Sequence, residues 1–529
     1  MKLFITLLIF STYAISQDID ILWQKTIGGN FDDGSDDIVI NDAGDIFQIG
    51  TSSSDISGDK TEPIIGDRDI WIVKTNAVGE ILWDKTIGGT ERERSAKAVI
   101  LANKLYVLCT STSPISGTKT APHYGFNDYW LVCMDMEGNQ LWDMTYGGDK
   151  NDQTFDINVN PAGNLLIGGM SFSSISGNKT DLIGGERDFW ILEISPTDGS
   201  ILQQKSIGSN GPESFSSLVC DTDGNIYLVG SSGTNVEKDK TDPGYGDGDI
   251  WIVKMDSDFN LLSDKCFGGT AGDEASGTSY IYEDHLYFTG ISQSDNDGNK
   301  TTIAFGSMDV WLVKVDLDLN FIWDITLGGL GYDTPRDLAV KNDQIILTAL
   351  SDGDISGNKT VNSYGDFDIW LLILNLEGEI QYQNVYGGDD SDDGRFTFDS
   401  EDKIVVSSSS KSNVSGVKTS PNKGGYDFWL FKLDASIYLN ISDNELSQSS
   451  SIKTYPNPFI EDVKFAFESP IKYQSVLTIY NTQGQMIDQL DVQPNSTNLV
   501  WNTANLANGV YFYEISVDDI LQKGKIIKQ

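Results

Sequence analysis

A chain of 529 residues with 36 lysines and arginines against 78 aspartates and glutamates carries a formal charge of −42. Such a surface repels phosphate backbones, which argues against nucleic acid as a partner, and it favours cations or basic partners. With 39% hydrophobic and 11% aromatic residues, the chain has enough apolar side chain for a sizeable core, so an acidic disordered protein is excluded.

The chain begins "MKLFITLLIFSTYAISQ", one lysine ahead of an apolar run from Leu3 to Phe10 and then small residues. Ala14 and Ser16 fit the −3 and −1 places of a signal peptidase site, so residues 1–16 read as a signal peptide cleaved between Ser16 and Gln17. No cysteine follows the cut, against a lipid anchor. No later stretch holds ~18 uninterrupted apolar residues, and no transmembrane segment is expected.

From residue 17 to 435 one line is written seven times: RDIWIVK, NDYWLVC, RDFWILE, GDIWIVK, MDVWLVK, FDIWLLI and YDFWLFK. Their tryptophans are Trp71, Trp130, Trp190, Trp251, Trp311, Trp370 and Trp429, spaced by 59, 60, 61, 60, 59 and 59 residues. A period of this size marks a repeat architecture. Each period holds four short runs rich in Ile, Val, Trp and Thr and bounded by Gly, Asp or Asn, for example SDDIVIND, DIFQIGTS, DIWIVKTN and ILWDKTIGG. The third run is apolar at consecutive positions, as in a strand buried on both faces. Four-stranded units repeated radially predict an all-β fold, a seven-bladed β-propeller with its tryptophans packed between blades. The last unit lacks a fourth strand, and the N-terminal ILWQKTIGG (21–29) is a fourth strand without a third. Its insertion into the last blade would close the ring and remove a free edge.

The longer loops, between strands two and three, share a face with the blade-to-blade links, and binding is expected there. A Lys-Thr pair recurs on it, at Lys60, Lys119, Lys179, Lys240, Lys300, Lys359 and Lys418. Nine residues after each comes an aspartate: Asp69, Asp128, Asp188, Asp249, Asp309, Asp368 and Asp427. The fixed gap predicts a loop clamp by Lys–Asp contact, each pair contributing about 0–1 kcal/mol if exposed. A ring of ligand-contacting lysines is the functional alternative. A third set follows the glycine pair that ends strand four: Asp33, Glu93, Asp152, Glu213, Asp273, Asp333 and Asp392. As a ring at the mouth of a central channel these would repel, raising pKa values or recruiting a cation; Ca2+ suits such oxygens, especially at 31–37 and 387–394. Otherwise each carboxylate closes a tight glycine turn through a backbone hydrogen bond.

The four cysteines, Cys109, Cys133, Cys220 and Cys266, occupy four different repeat positions, too scattered for a disulfide framework or zinc site; Cys109 and Cys133 alone fall on neighbouring strands. There are two histidines, His123 and His285, and no nucleophile elbow, HExxH or phosphate loop.

After the repeats, residues 436–451 are rich in Ser and Asn and read as a linker. Residues 452–529 contain the strand-like runs VKFAFES, SVLTIYNTQGQMIDQL, NLVWNT and GVYFYEISVDD, which suggest a small antiparallel β-sandwich. YPNPF (455–459), YNTQGQMI, LANGVYFYEI and the basic KGKIIKQ end resemble the type A C-terminal sorting domain of the type IX secretion system. The resemblance implies passage through the periplasm, engagement with the type IX machinery, and a final place secreted or on the outer cell surface. The repeat region is similar to propeller repeats found ahead of such tails, a fold that hosts many functions.

The leading reading is a non-catalytic binding, adhesion or scaffold module for a glycan or a surface protein. The rival is a carbohydrate-active hydrolase or lyase using carboxylates at the channel mouth, in a chain whose even periods leave no room for an inserted catalytic loop. A third is a propeller that only bulks a surface layer.

Overall fold

The computed structural model describes residues 19–233, 235–439 and most of 452–528; within the tail, 456–458, 460, 468–471, 473, 482–485, 504–505, 508 and 518–519 lie outside the description. The signal peptide with its Ser16–Gln17 cleavage site and the linker beyond Leu439 also lie outside the described residues. The chain divides into two compact units at the Leu439–Asn440 boundary.

The first unit consists of repeated four-stranded antiparallel sheets, an arrangement found in propeller-like folds. The first sheet is β2 (Asp33–Ile40), β3 (Ile46–Ser52), β4 (Asp69–Thr75) and β5 (Ile81–Ile87), paired in that order. Four-stranded sheets follow as β6–β9 (93–146), β10–β13 (152–207), β14–β17 (214–267), β18–β21 (273–327) and β22–β25 (333–386). The last is β26 (Asp392–Phe398), β27 (Ile404–Ser410) and β28 (Asp427–Leu433), and its fourth strand is β1 (Ile21–Ile27). β1 pairs antiparallel with β28, placing Thr26 opposite Trp429.

The innermost strand of each sheet comes first in its repeat. After β2 and β26 these are β6 (Glu93–Leu101), β10 (Asp152–Val159), β14 (Ser214–Cys220), β18 (Asp273–Tyr282) and β22 (Asp333–Lys341). Each lies beside the next, and β2 also lies beside β26 and β27. The third strands are apolar at consecutive positions because both their faces are covered: every residue of β4 is buried. The seven repeat tryptophans have no exposed surface. They reach the adjoining sheet, with Trp71 5.0 Å from Phe428, Trp190 5.1 Å from Tyr129 and Trp251 5.3 Å from Phe189 between ring centroids. Such aromatic pairs contribute roughly 0.5–1.5 kcal/mol each beyond their buried area.

The first unit runs past the expected boundary at 435. A single helical turn, α1 (Ser436–Leu439), replaces the start of the expected linker. Leu439 is fully buried, and the Tyr438 ring lies 4.9 Å from that of Tyr382. All four cysteines are free; Cys109 sits opposite Trp130 and Cys133 opposite Tyr106, out of register for a bridge.

The second unit has two antiparallel sheets. One is β29 (Ile452–Tyr455), β30 (Asp462–Phe467) and β33 (Asn498–Asn502); the other is β31 (Ser475–Tyr480), β32 (Met486–Val492), β34 (Gly509–Val517) and β35 (Ile520–Lys528). They share a core in which Val463, Phe465 and Trp501 meet Leu477, Ile479, Tyr513 and Ile515.

Candidate functional site: the loop face and the cavities among the inner strands

The loops that carry the recurring lysines and aspartates are built differently from a Lys–Asp clamp. Lys60, Lys119, Lys179, Lys240, Lys300, Lys359 and Lys418 are all buried, each 1% exposed. Among the described residues none of them ion-pairs with a carboxylate, so the expected exposed contact is replaced by a buried one of another kind. Lys119 Nζ donates to Thr145 Oγ1 at 2.8 Å, Lys179 to Ser206 Oγ at 2.5 Å and Lys418 to Ser410 Oγ at 2.7 Å. Six of the seven ammonium groups stand over the tryptophan of their own repeat, from 4.5 Å for Lys179 over Trp190 to 6.0 Å for Lys418 over Trp429. Lys240 turns instead to the Gly233 carbonyl. A desolvated cation over an indole face gains about 2 kcal/mol. Burial pushes Lys179 and Lys418 down to about 8, against the pull of nearby carboxylates.

The aspartates of the same loops cap a turn. Asp309 Oδ2 accepts from the Phe305 amide at 2.7 Å and from Gly306 at 3.1 Å. Asp128, Asp249, Asp368 and Asp427 accept from the amides of Tyr124, Tyr245, Tyr364 and Lys423, Asp69 from those of Ile65 and Gly66, and Asp188 from those of Gly184 and Gly185. His123 Nδ1 lies 2.7 Å from Asp128 Oδ2, in a single repeat.

Sequence reasoning missed the true partner of the Lys-Thr pair. It is a side chain on the outermost strand, which also accepts from the tryptophan: Asp84, Asp143, Gln204, Asp264, Asp324, Gln383 and, for Trp429, Gln24. Asp84 Oδ2 takes Trp71 Nε1 at 3.0 Å and the Thr61 amide at 3.0 Å, and Oδ1 takes the Thr61 hydroxyl. A near-constant offset of 13 residues from each tryptophan was the available signal.

The glycine-turn carboxylates do not form a rim. Asp33, Glu93, Asp152, Glu213, Asp273, Asp333 and Asp392 have no exposed surface. Each holds a turn, as in Asp273, whose Oδ2 accepts the Gly269 amide at 2.7 Å and the Ser294 hydroxyl at 2.7 Å. Asp392 does the same with Gly388 at 2.8 Å and Ser412 at 2.7 Å. Residue Ser209 replaces the second glycine before Glu213 and donates its hydroxyl at 2.5 Å. Calcium fits poorly here: the acidic stretches 31–37 and 387–394 split their carboxylates between buried turns and inner strands. Among the described residues no three acidic, histidine or cysteine side chains converge as metal ligands.

Two cavities lie among the inner strands. The larger, of about 510 Å³, opens on the loop face and is lined by Asp32, Asp36, Asp393, Arg68, Phe367 and Tyr426, with hydroxyls of Thr51, Ser391 and Ser409. The smaller, of about 200 Å³, lies among six inner strands and is walled by Phe155, Phe215, Lys97, Asp156, Arg336 and Arg395. Arg336 joins the two, donating from Nε to Asp393 at 2.6 Å while its carbonyl accepts from Arg395 at 2.6 Å. The inner carboxylates tie neighbouring strands together: Asp36 accepts the Ala96 amide at 3.2 Å, Asp156 the Leu218 amide at 2.9 Å and Asp337 the Phe396 amide at 3.2 Å. Burial pushes Asp36 and Asp156 up to about 6 and raises Asp337; backbone amides, Lys97 and Arg395 oppose it. These residues vary from repeat to repeat. They break the symmetry that the loops keep, inside the inner strands where alignment of the repeats had drawn attention only to the recurring acids.

Among known families, the secretion system C-terminal sorting domain matches residues 453–529. The chain is similar to the regulatory protein FlaEY of Caulobacter vibrioides, 23% identical over 385 residues that cover 65% of this chain and 39% of that protein. The chain thus spans less than half the length of this relative. Among solved structures, the Plexin A4 extracellular region is 9% identical at a TM-score of 0.44, covering 95% of this chain and 61% of that one. An ulvan lyase of polysaccharide lyase family 25 is 10% identical at a TM-score of 0.36, covering 81% and 91%. The tail is a type IX sorting domain, and it implies engagement with that secretion machinery and export to the outer surface or beyond. No helix among the described residues is long and apolar enough to cross a membrane.

Proposed function

We propose that the repeat region is a closed seven-bladed β-propeller acting as a non-catalytic binding or adhesion module, exported by its tail to take up a glycan on the loop face. The observation that carries this reading is the 510 Å³ cavity, where the rings of Phe367 and Tyr426 stand beside carboxylates, one arginine and three hydroxyls. Saccharide sites combine apolar ring faces with a few fixed polar groups in this way. Closure is supported by β1 completing the last sheet and by Lys423 of that sheet pairing with Asp59 of the first. The test is a glycan array on the first unit with and without calcium. Binding that is lost in Tyr426→Ala and indifferent to chelation supports the reading, and an array without ligands overturns it.

A second reading has its own support. Asp36 and Asp156, held near 6, have the proton affinity of a general acid and stand among the inner strands with Asp337. Turnover on a polysaccharide panel that disappears in Asp156→Asn would make the module a hydrolase or lyase.

A further inference from the structure

The loop aspartates and the glycine-turn carboxylates approach one another at five of the junctions between neighbouring sheets. At Gly268 a Cβ would collide with Asp249 Oδ1, and Asp273 Oδ2 lies 2.9 Å from the same point. The same holds at Gly88 for Asp69 and Glu93 (2.7 Å), at Gly208 for Asp188 and Glu213 (2.8 Å), at Gly328 for Asp309 and Asp333 (2.9 Å), and at Gly387 for Asp368 and Asp392 (3.0 Å). All these side chains are at most 1% exposed. Oδ1 of Asp128, Asp249, Asp309, Asp368 and Asp427, the oxygen at the junction glycine, has no hydrogen-bond partner, whereas Asp33, Asp152, Asp333 and Asp392 are also approached by the hydroxyls of Ser52, Ser171, Ser351 and Ser410.

Two carboxylates buried this close together disfavour each other's ionisation. A buried oxygen left without a donor costs roughly 1–3 kcal/mol, and here the deficit recurs around the molecule. A metal needs more ligands than two carboxylates supply, whereas a proton needs two oxygens. We propose that each of these five junctions is a proton-binding site, in which one carboxyl group donates its hydrogen to the facing carboxylate. No ligand of the cavities enters this inference.

The proton linkage can be read at one junction. Asp368 faces Asp392 and Lys359, and Asp392 faces Lys418. Lys359 in turn faces Asp333, Asp352 and Asp354, and Lys418 faces Asp427 and Asp389. The burial that isolates the pair also pushes Asp368 up to about 6.

The experiment is infrared difference spectroscopy of the folded protein at pH 5.5, where water-exposed carboxyls are ionised, comparing wild type with Asp368→Asn. The asparagine oxygen keeps the Tyr364 and Gly365 amides while its NH₂ donates to Asp392, so the variant folds. Expected is a protonated-carboxyl band in wild type that loses one junction's share in the variant, with the variant melting no lower than wild type at pH 7.5. Asp392→Asn serves if Asp368→Asn does not fold. A wild-type spectrum without that band overturns the proposal. So does a saturable rise in melting temperature on adding calcium or sodium chloride at pH 7.5 that Asp368→Asn abolishes, since the junction would then hold a metal ion.

Discussion

Lys179 and Asp324 illustrate how differently buried charges contribute at the level of single residues. Lys179 donates one hydrogen bond, stands over an indole and is drawn by Asp152, Asp181 and Asp188 without an ion pair to any of them, so its ammonium offsets only part of its own desolvation. Lys179→Met, similar in shape and uncharged, should leave the unfolding free energy within about 1 kcal/mol of wild type. Asp324 accepts from Trp311, from the Thr301 amide and from the hydroxyls of Thr301 and Thr302. Asp324→Ala orphans the Trp311 and Thr301 donors, while the Thr302 hydroxyl keeps Thr326, and should cost roughly 2–4 kcal/mol. Urea unfolding of the two variants, followed by tryptophan fluorescence, separates these outcomes; equal losses would mean that the lysine, too, is a structural anchor.

At the level of elements, the glycine turn and the strand borrowed from the N-terminus decide most of the architecture. Gly268→Ala would drive a methyl into Asp249 and Asp273 and should cost about 3 kcal/mol or more. Gly163, at φ +80° with open space around its Cβ position, should cost about 1–2 kcal/mol as alanine, because only backbone strain is felt. Thermal melts of both variants check the ranking. Removing the chain through Ile27 strips Gln24 from Trp429 and bares the edge of β28. It should lower the melting temperature and produce concentration-dependent aggregation by light scattering.

The strands and their order were legible in the letters, because a doubly covered third strand must be apolar throughout and a constant period leaves one way to divide the chain. DIFQIGTS, DIWIVKTN and ILWDKTIGG each contain an observed strand, and SDDIVIND covers all but the first two residues of β2. What the letters hid was depth. Lys60 and Asp33 look like solvated polar residues, and only the stacking of one repeat on the next shows that both are sealed inside. The cavity residues were hidden for the opposite reason: Lys97 and Phe155 have no counterpart in the other copies and Arg336 recurs only as Arg395, so periodicity did not point to them.

For the whole molecule, the buried carboxyls set how stability follows pH. Asp69, Asp368 and Asp427 are held near 6 and Glu213 near 7, all through burial, above their values in the unfolded chain. A carboxyl raised on folding supports the fold in acid, and that support is lost as pH climbs through its folded value. The melting temperature should therefore rise as pH falls from 7.5 to 5, each proton taken up contributing about 1.4 kcal/mol per pH unit. Calorimetry across that window checks it; a melting temperature that falls on acidification would contradict the linkage. Surface pairs such as Lys403–Asp434, whose carboxyl is pulled down to about 2 by the lysine and Ser436, begin to fail only in stronger acid.

The seam between β1 and β28 has a consequence for timing. Gln24 and Trp429 are 405 positions apart, so β1 has no strand to pair with until nearly the entire repeat region has been made. Contacts so distant along the chain form slowly, and they reward nothing until the ends meet. β1 thus acts as a latch made long before its partner strand and engaged only with it, and a chain still in transit remains unlocked until its final sheet arrives.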